Sequence, residues 1–338
     1  MRRSRPTARA SRRVRLAAVP AILSVVLAVP AVAQEATGDP TGTECCLQLL
    51  VPVGARASAL GGAMTAVTGA EAVFRNPAGL AAVDGGRFLI HHSDDTTVDV
   101  QVDAFSLLLN PYSSTVGLSY QLFDRGEIET RDGSGQLTGE LRLRDHLVVA
   151  SFAVPLGGGL SAGLNYKVFQ QRIDCTGLCG SEENVATTQA ADMGLHYRPT
   201  WHPAIQFGLA VVNAGLSLQV VNVEQSDRFP ARIHVGVMYD VLSGAATDSL
   251  VGLRIAVDAA DQLAEPGSPV PSFGLELDVQ KAVFVRAGYT PGEGLGTGAA
   301  VGIELRYDRF DIGVSRSFSN SLLEADEEPF QVSLGIHF

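Results

Sequence analysis

The stretch FQVSLGIHF at residues 330–338 decides the fold of this chain. Apolar and polar side chains alternate along it, so a β-strand formed here has one apolar and one polar face. The same period of two recurs along the chain. We predict fourteen strands, at 87–92, 98–109, 115–124, 143–154, 160–171, 186–197, 204–213, 231–241, 250–260, 272–280, 282–290, 298–307, 309–318 and 329–338.

The composition limits the folds that these strands can form. The chain is 46% hydrophobic, only 18% charged and contains 36 glycines, which argues against disorder. Beyond residue 33 no apolar run approaches the roughly 18 residues that indicate a membrane-spanning helix. The other structure that satisfies its backbone in lipid is a closed β-barrel, and an even strand count is typical of bacterial barrels. The prediction is an all-β, transmembrane antiparallel β-barrel of about 14 strands with a small N-terminal plug or helical segment.

The predicted connections support this fold, because long and short ones alternate from the third onward. The long ones include 125–142, 172–185 and 214–230, whereas the short ones carry turn chemistry such as Asn110-Pro111. Outer-membrane barrels have short periplasmic turns and long outer loops, and a soluble β-sandwich has no reason to sort its loops in this way. We therefore expect the outer membrane of a Gram-negative-type bacterium.

The first 33 residues have the form of an export signal. Seven arginines precede an apolar run at 16–30, and Ala31-Val32-Ala33 is a cleavage site. A retained membrane anchor is the alternative, but the run is short for a spanning helix. Because this segment carries seven arginines and no acid, its removal lowers the net charge from −11 to −18, which excludes a nucleic-acid partner. The expected domains are a signal peptide at 1–33, a plug or periplasmic segment at 34–86, and the barrel at 87–338.

Residues 54–82 do not follow the strand pattern. Small side chains dominate them, and Asn76-Pro77 is a turn or helix-start signal. We expect a compact, partly helical segment that plugs the barrel or lies at its rim.

Two motifs in that segment, GARASALGGA at 54–63 and NPAGLA at 76–81, resemble the start of PorV/PorQ family proteins. That family consists of outer-membrane barrels similar in fold to the FadL long-chain fatty-acid transporters. The resemblance implies an accessory role in type IX-like protein secretion or surface attachment. The alternative is a FadL-like transporter of hydrophobic small molecules. The motif positions, to which the resemblance assigns a structural role in the plug, are Arg56, Gly61, Gly62, Asn76, Pro77 and Gly79.

Charged residues on the predicted strands provide the candidate lumen-facing positions. They line either an ordinary polar interior or a path for a ligand or ion. Tyrosine and phenylalanine near strand ends, Phe123 among them, are expected at the membrane interface. The charged candidates are Asp99, Asp103, Arg254, Glu276, Asp278, Arg286, Glu304 and Arg306.

The cysteines predict one disulfide and no metal site. Cys175 and Cys179 lie close together in a predicted outer loop, where an oxidising envelope favours a disulfide over free thiols. The adjacent Cys45 and Cys46 leave their redox state open. A zinc site needs more ligands than the loop offers, and no cofactor motif is found.

An outer-membrane enzyme such as a lipase is the third functional possibility. The GLSAG sequence at 159–163 matches the G-x-S-x-G pattern, but a strand follows it where a nucleophile elbow needs a helix. We therefore predict no enzymatic activity.

The expected partners follow from the predicted location. They are outer-membrane lipid and the barrel-assembly machinery, because a final strand ending in Phe338 resembles the strand which that machinery recognises. Beyond these we expect either secreted proteins and secretion-machinery components, or a lipid-like ligand.

Overall fold

The computed structural model describes residues 44–95, 100–177, 184–219, 226–242, 250–291, 298–318 and 330–338. Within them, fourteen antiparallel strands form a closed barrel, which confirms the predicted fold class. Each strand pairs with its neighbours along the chain, except that β7 pairs with β10, and β1 pairs with β16 to close the barrel. The barrel strands are β1 (Arg87–Asp95), β2 (Val100–Leu109), β3 (Thr115–Arg131), β4 (Leu137–Gly157), β5 (Leu160–Gly177), β6 (Asn184–Tyr197), β7 (Ile205–Gly215), β10 (Arg232–Asp240), β11 (Val251–Gln262), β12 (Val270–Val279), β13 (Val283–Thr290), β14 (Gly298–Tyr307), β15 (Phe310–Phe318) and β16 (Phe330–His337). The two-residue strands β8 (Leu218–Gln219) and β9 (Ser226–Asp227) pair with each other in a separate two-stranded sheet.

Burial alternates along the barrel strands, as one lipid-facing and one inward face require. On β4, for example, Val149 is fully buried whereas its neighbour Val148 is 42% exposed. The exposed positions carry large apolar side chains, such as Leu118 and Leu107. This outer apolar band is the surface that a membrane covers.

The two ends of the barrel differ. At the end that we call the terminal rim, Gly86 N donates to Phe338 O at 2.7 Å and Phe338 N donates to Gly86 O at 3.0 Å. The β12–β13 and β14–β15 turns at this rim are short. In the β12–β13 turn, Gln280 and Lys281 both have positive φ, as a type I′ turn requires, and Ala282 N donates to Val279 O at 3.0 Å. The opposite end is called the loop rim.

Strands β3, β4 and β5 extend past their neighbours at the loop rim, which corrects the predicted loops at 125–142 and 172–185. They have 17, 21 and 18 residues, whereas about 9–11 residues span a membrane. The extension, called the flap (125–131, 137–145 and 171–177), is held by cross-strand pairs such as Ile128 with Leu141. Asp132 Oδ1 closes its tip by accepting from the backbone N–H of Ser134 and Gln136, both at 2.9 Å. The long connection therefore forms paired strand instead of loop.

Residues 44–86 lie inside the barrel and are called the plug. It contains the helix α1 (Ala55–Ala59) and three short 3₁₀ helices at Leu47–Leu50, Ala70–Phe74 and Pro77–Ala82. Helix α1 packs against β13–β16, and the last 3₁₀ helix packs against β4–β6. In the described part of the chain, no helix is long and apolar enough to cross a membrane.

Candidate functional site

Glycines on the inward face of the wall let the plug approach the strands closely. A Cβ atom at Gly274 would lie 3.0 Å from Leu60 O, and one at Gly302 would lie 2.6 Å from Ala59 Cβ. At other positions such a Cβ would overlap the backbone of the plug. The wall glycines that contact the plug are Gly163, Gly194, Gly208, Gly236, Gly274, Gly288, Gly302 and Gly313.

Asn76 and Pro77 of the second motif fix the turn that starts the last 3₁₀ helix. Asn76 Oδ1 caps this helix by accepting from Ala78 N at 3.1 Å, and Pro77 occupies the first position, where no N–H is needed. Asn76 Nδ2 donates to Thr65 O at 2.7 Å and to Leu195 O at 3.1 Å. One side chain thus links two plug segments and strand β6.

The motif glycines occupy positions that a side chain would obstruct. Gly61 has φ of 60°, and its carbonyl oxygen accepts from Thr290 Oγ1 at 2.5 Å. Gly62 has φ of 79°, in the same left-handed region that favours glycine. A Cβ at Gly79 would lie 2.7 Å from both Ala72 Cβ and Val67 O. These residues therefore shape the plug and hold it against the wall.

Arg56, the motif cation, connects the plug to the wall electrostatically. It is buried; its Nε lies 3.0 Å from Glu276 Oε2 and its Nη1 lies 3.5 Å from Glu71 Oε2. Burial raises the pKa of Glu71, but Arg56, Arg306 and Arg286 outweigh burial and hold this pKa at about 2. Glu71 is therefore charged at neutral pH and pairs with Arg56 within the plug.

The structure brings six of the predicted lumen-facing residues into one ion-pair network near the terminal rim. Glu276 lies at its centre and pairs with Arg254 and, at 2.6 Å, with Arg286. Arg286 in turn pairs with Glu304 at 2.8 Å. The remaining members join at the edges, Asp278 through Arg254 at 2.9 Å and Arg306 through Glu304 at 2.6 Å. These six residues link neighbouring strands of the wall, and the pair between Arg56 and Glu276 fastens the plug to them.

Two residues lie elsewhere than predicted. Asp103 faces outward near the loop rim, where its Oδ1 lies 2.8 Å from His92 Nδ1, so its expected place in the lumen is wrong. Its neighbour Val102 faces the plug instead, because the plug presents the apolar side chains of Val51 and Val53 there. Phe123 was expected at the membrane interface but is buried inside the barrel. Asp99 lies outside the described residues.

A packed cluster of apolar side chains, called the chamber, lies inside the barrel beside strands β4, β5 and β6. Phe169 and Phe229 meet edge to face at 5.6 Å between ring centroids. None of the chamber's residues is among the predicted site residues, although the unbroken apolar run at 147–150 signals a strand with two apolar faces. Its buried members are Cys46, Leu147, Val149, Phe169, Ala186, Ala190, Leu218 and Phe229.

The start of the plug, residues 44–50, crosses this chamber and is called the strap. Glu44 forms an ion pair with Arg232 at 2.5 Å on one side, and Gln48 Nε2 donates to Asp145 Oδ2 at 2.6 Å on the other. Cys46 places its side chain in the chamber, and Leu49 packs against it. The strap thus fills space that an apolar ligand would need.

The cysteines divide into two pairs. Cys45 and Cys46 are free thiols in the strap. The hydrogen bond with Cys45, together with burial, raises the pKa of Cys46, so its thiol stays protonated at neutral pH. Cys175 is disulfide-bonded. Cys179 lies outside the described residues, so the pairing of these two remains a prediction.

A closed antiparallel barrel with an apolar outer band and an N-terminal plug defines a membrane-spanning β-barrel protein. The chain belongs to the uncharacterised protein family UPF0164, whose model matches residues 23–338. No curated protein matches the chain by sequence.

Solved structures share this fold. The toluene transporter TodX of Pseudomonas putida is 13% identical, with a TM-score of 0.55 over 84% of this chain and 98% of that one. The monoaromatic hydrocarbon channel CymD is 12% identical, with a TM-score of 0.58 over 86% of this chain and 98% of that one. At such identities the likeness establishes the fold alone.

Proposed function

We propose that this protein is an outer-membrane channel for small hydrophobic molecules. The apolar chamber carries the proposal, because the interior of a barrel that conducts water-soluble solutes is polar. Leu147, Val149 and Phe169 instead turn buried apolar side chains inward from neighbouring strands. Ligand sites for hydrophobic molecules are built from such side chains with a few polar groups beside them.

The flap extends this apolar surface beyond the membrane. Leu141 and Leu143 precede Leu147 on the same face of β4, and their partners across the sheet are also apolar. One of these partners, Ile128, is 49% exposed, although it lies on the inward side of the flap. An apolar molecule arriving at the loop rim therefore meets apolar surface that leads towards the chamber and is interrupted on β4 by the buried carboxylate of Asp145.

The comparisons favour this proposal over the secretion role. TodX and CymD are named as a toluene transporter and a monoaromatic hydrocarbon channel. The secretion role derives from the resemblance of residues 54–82 to PorV/PorQ proteins. Arg56, Asn76 and the motif glycines all hold the plug in the barrel, and a plugged transporter needs that as much as a secretion accessory does. We therefore rank the transport role first.

An uptake assay tests the proposal. The full chain is expressed in a Gram-negative host whose own FadL-type barrel has been deleted, and initial uptake of radiolabelled toluene, octane and oleate is measured. We expect faster uptake of at least one probe than in cells with an empty vector. Equal rates for all three would contradict the proposal.

A matched pair of variants links uptake to the chamber. Leu147→Ser places a hydroxyl in the chamber. Val148→Ser places a hydroxyl at the next residue, on the lipid-facing side of the wall. The first should slow uptake several-fold and the second should leave it unchanged at equal surface expression. If both variants transport like the wild type, the chamber is not the route. If the barrel transports none of the probes and secretion-machinery proteins co-purify with it, the secretion role is favoured instead.

A further inference from the structure

A buried carboxylate interrupts the apolar lining between the loop rim and the chamber. Asp145 lies on the inward face of β4, where Leu143 precedes it and Leu147 follows it on the same face. Its neighbours across the sheet are Phe123 on β3 and Gln171 on β5. The side chain of Asp145 is completely buried. Because a charge is costly to bury unless it is paired and hydrogen-bonded, the partners of this carboxylate matter.

These partners leave one oxygen atom of Asp145 free to accept. Arg125 Nη2 lies 3.4 Å from Oδ2 and supplies the compensating positive charge. Gln48 Nε2 donates to the same oxygen at 2.6 Å. The carboxylate also interacts with Gln171, but its Oδ1 has no hydrogen-bond partner in the described part of the chain. An ionised carboxylate can accept several hydrogen bonds, so this side chain has room for a further donor.

A second polar group without a partner lies beside this carboxylate. Gln121 is on the inward face of β3, opposite Leu147, and is therefore a diagonal neighbour of Asp145. Diagonal neighbours in a sheet are about 7–8 Å apart, which long side chains can span. Gln121 Nε2 is buried and has no hydrogen-bond partner among the described residues. Gln121, Gln48 and Leu147 line one cavity between the strap and the wall. A hydrogen-bond acceptor and a donor thus lie close together where the strap meets the chamber.

The strap provides a hydrogen bond that a ligand has to replace. Gln48 belongs to the strap, which fills the space that an apolar ligand needs. When a ligand takes this space, Asp145 loses the hydrogen bond from Gln48. A hydrocarbon has no donor to offer in exchange, and a buried charged group that loses its hydrogen bond is strongly destabilised. A ligand that carries its own donor avoids this loss.

We propose that the chamber selects hydrophobic molecules that carry one neutral hydroxyl group, such as aliphatic alcohols and phenols. A hydroxyl both donates and accepts, so it can donate to Asp145 and accept from Gln121 Nε2. The apolar body of the ligand packs against Leu147 and Phe169. The charge of Asp145 disfavours a carboxylate and that of Arg125 disfavours an ammonium group, which leaves a neutral head group. The inference rests on the proposed transport of hydrophobic molecules and names the class that is transported.

Equilibrium binding to the purified full chain in detergent tests this selectivity. The ligands are radiolabelled 1-dodecanol, dodecane and dodecanoate, which share a chain length and differ in the head group, and protein-free micelles give the background. We expect 1-dodecanol to bind about 10- to 100-fold more tightly than dodecane, as a hydrogen bond to a buried charged group implies. Dodecanoate should bind more weakly than the alcohol.

The outcomes separate this inference from the proposed function. Equal affinities for 1-dodecanol and dodecane, or tightest binding of dodecanoate, would overturn the selectivity and leave the transport of hydrophobic molecules in place. Binding of none of the three ligands would contradict the proposed function and the selectivity together.

Variants assign the selectivity to the carboxylate. Asp145→Leu removes the acceptor and makes the lining of β4 apolar, so the ratio of the alcohol affinity to the alkane affinity should fall about tenfold or more. A variant that merely loosens the barrel weakens the binding of both ligands and does not change this ratio. Asp145→Asn keeps one acceptor oxygen and should retain part of the preference.

Asp124→Asn is the matched control, because Asp124 also pairs with an arginine near the loop rim but lies on the outward face of β3. It should keep the wild-type ratio. Heat-modifiable mobility on gels shows whether each variant folds, and if Asp145→Leu does not fold, Asp145→Asn should still lower the ratio. A wild-type ratio in a folded Asp145→Leu variant, or in Asp145→Asn if only that variant folds, would overturn the proposal. An equal loss in Asp124→Asn would do the same.

Discussion

Replacing Gly288 with alanine should push the plug away from the barrel wall. Gly288 lies on β13, and its backbone does not have the positive φ that would itself exclude alanine. A Cβ atom here would lie 2.7 Å from Ala59 O and nearer still to Gly61 N. Carbon atoms in good contact are about 3.5–4.0 Å from their neighbours. The plug backbone must therefore retreat by roughly 1 Å, because the wall strand is held by its hydrogen bonds on both sides.

The structure sets the size of this effect. Overpacking of a filled interior costs about 1–3 kcal/mol. The retreat also breaks the hydrogen bond from Thr290 Oγ1 to Gly61 O, which contributes about 0.5–1.5 kcal/mol. We therefore expect the docked plug to lose about 2–4 kcal/mol relative to the undocked plug. Since about 1.4 kcal/mol corresponds to a tenfold change in an equilibrium constant, the undocked population should rise about 30-fold or more.

Trypsin measures this population in the detergent-solubilised protein. Arg56 and Arg75 lie within the plug, and cleavage after either requires the plug to leave the barrel, so the cleavage rate follows the open population. Mass spectrometry separates these products from cuts in the exposed flap. Gly133→Ala is the control, because a Cβ at Gly133 has no atom within 4 Å. If Gly288→Ala is cleaved at Arg56 and Arg75 at nearly the rate of the control, the close packing of the plug on β13 is wrong.

Three further predictions concern charge and redox state. Glu276→Gln leaves three arginines around an uncharged group, so the free energy of unfolding measured with urea in detergent should fall by about 3–5 kcal/mol. The control is the exposed Glu265→Gln, which should change this free energy by less than about 0.5 kcal/mol. Equal effects of the two substitutions would contradict the ion-pair network. The pKa of Glu71 is lowered from 4.5 to about 2. The charged carboxylate therefore contributes roughly 3 kcal/mol to the stability of the docked plug. This contribution is complete above pH 4.5 and disappears as the pH falls towards 2. Hydrogen exchange of the plug amides, corrected for intrinsic rates, should show this loss in the wild type and not in Glu71→Gln. Alkylation of the thiols in unfolded protein should add two alkyl groups before reduction and four after it. The digest of the unreduced protein should contain a peptide that joins Cys175 to Cys179. Four alkyl groups before reduction would disprove the disulfide.

The sequence alone determined the strands and the wall that they form. Alternation of apolar and polar side chains is a local property, and a strand that separates lipid from an interior must have it. The β12–β13 hairpin is an example, since its strands and the turn at Lys281 follow from residues that are adjacent in the chain. The special character of residues 54–82 was also evident, because small side chains replace the alternation there.

The tertiary structure decided which face of a strand points inward and how far each strand extends. Val102 and Asp103 exchanged their expected sides because the plug offers an apolar surface to β2, and no local pattern records what fills a barrel. The flap became strand instead of loop because Ile128, Leu141 and Cys175, distant in sequence, pair side by side.

The site itself depends on contacts between distant parts of the chain. Arg56 meets Glu276 across 220 positions, and Cys46 reaches Phe169 only because the strap folds back into the barrel. Period and composition show that a residue faces inward. Whether that residue then forms an ion pair, packs against apolar side chains or binds a ligand depends on the side chain that faces it across the interior. Closure of the barrel around the plug determines which side chain that is.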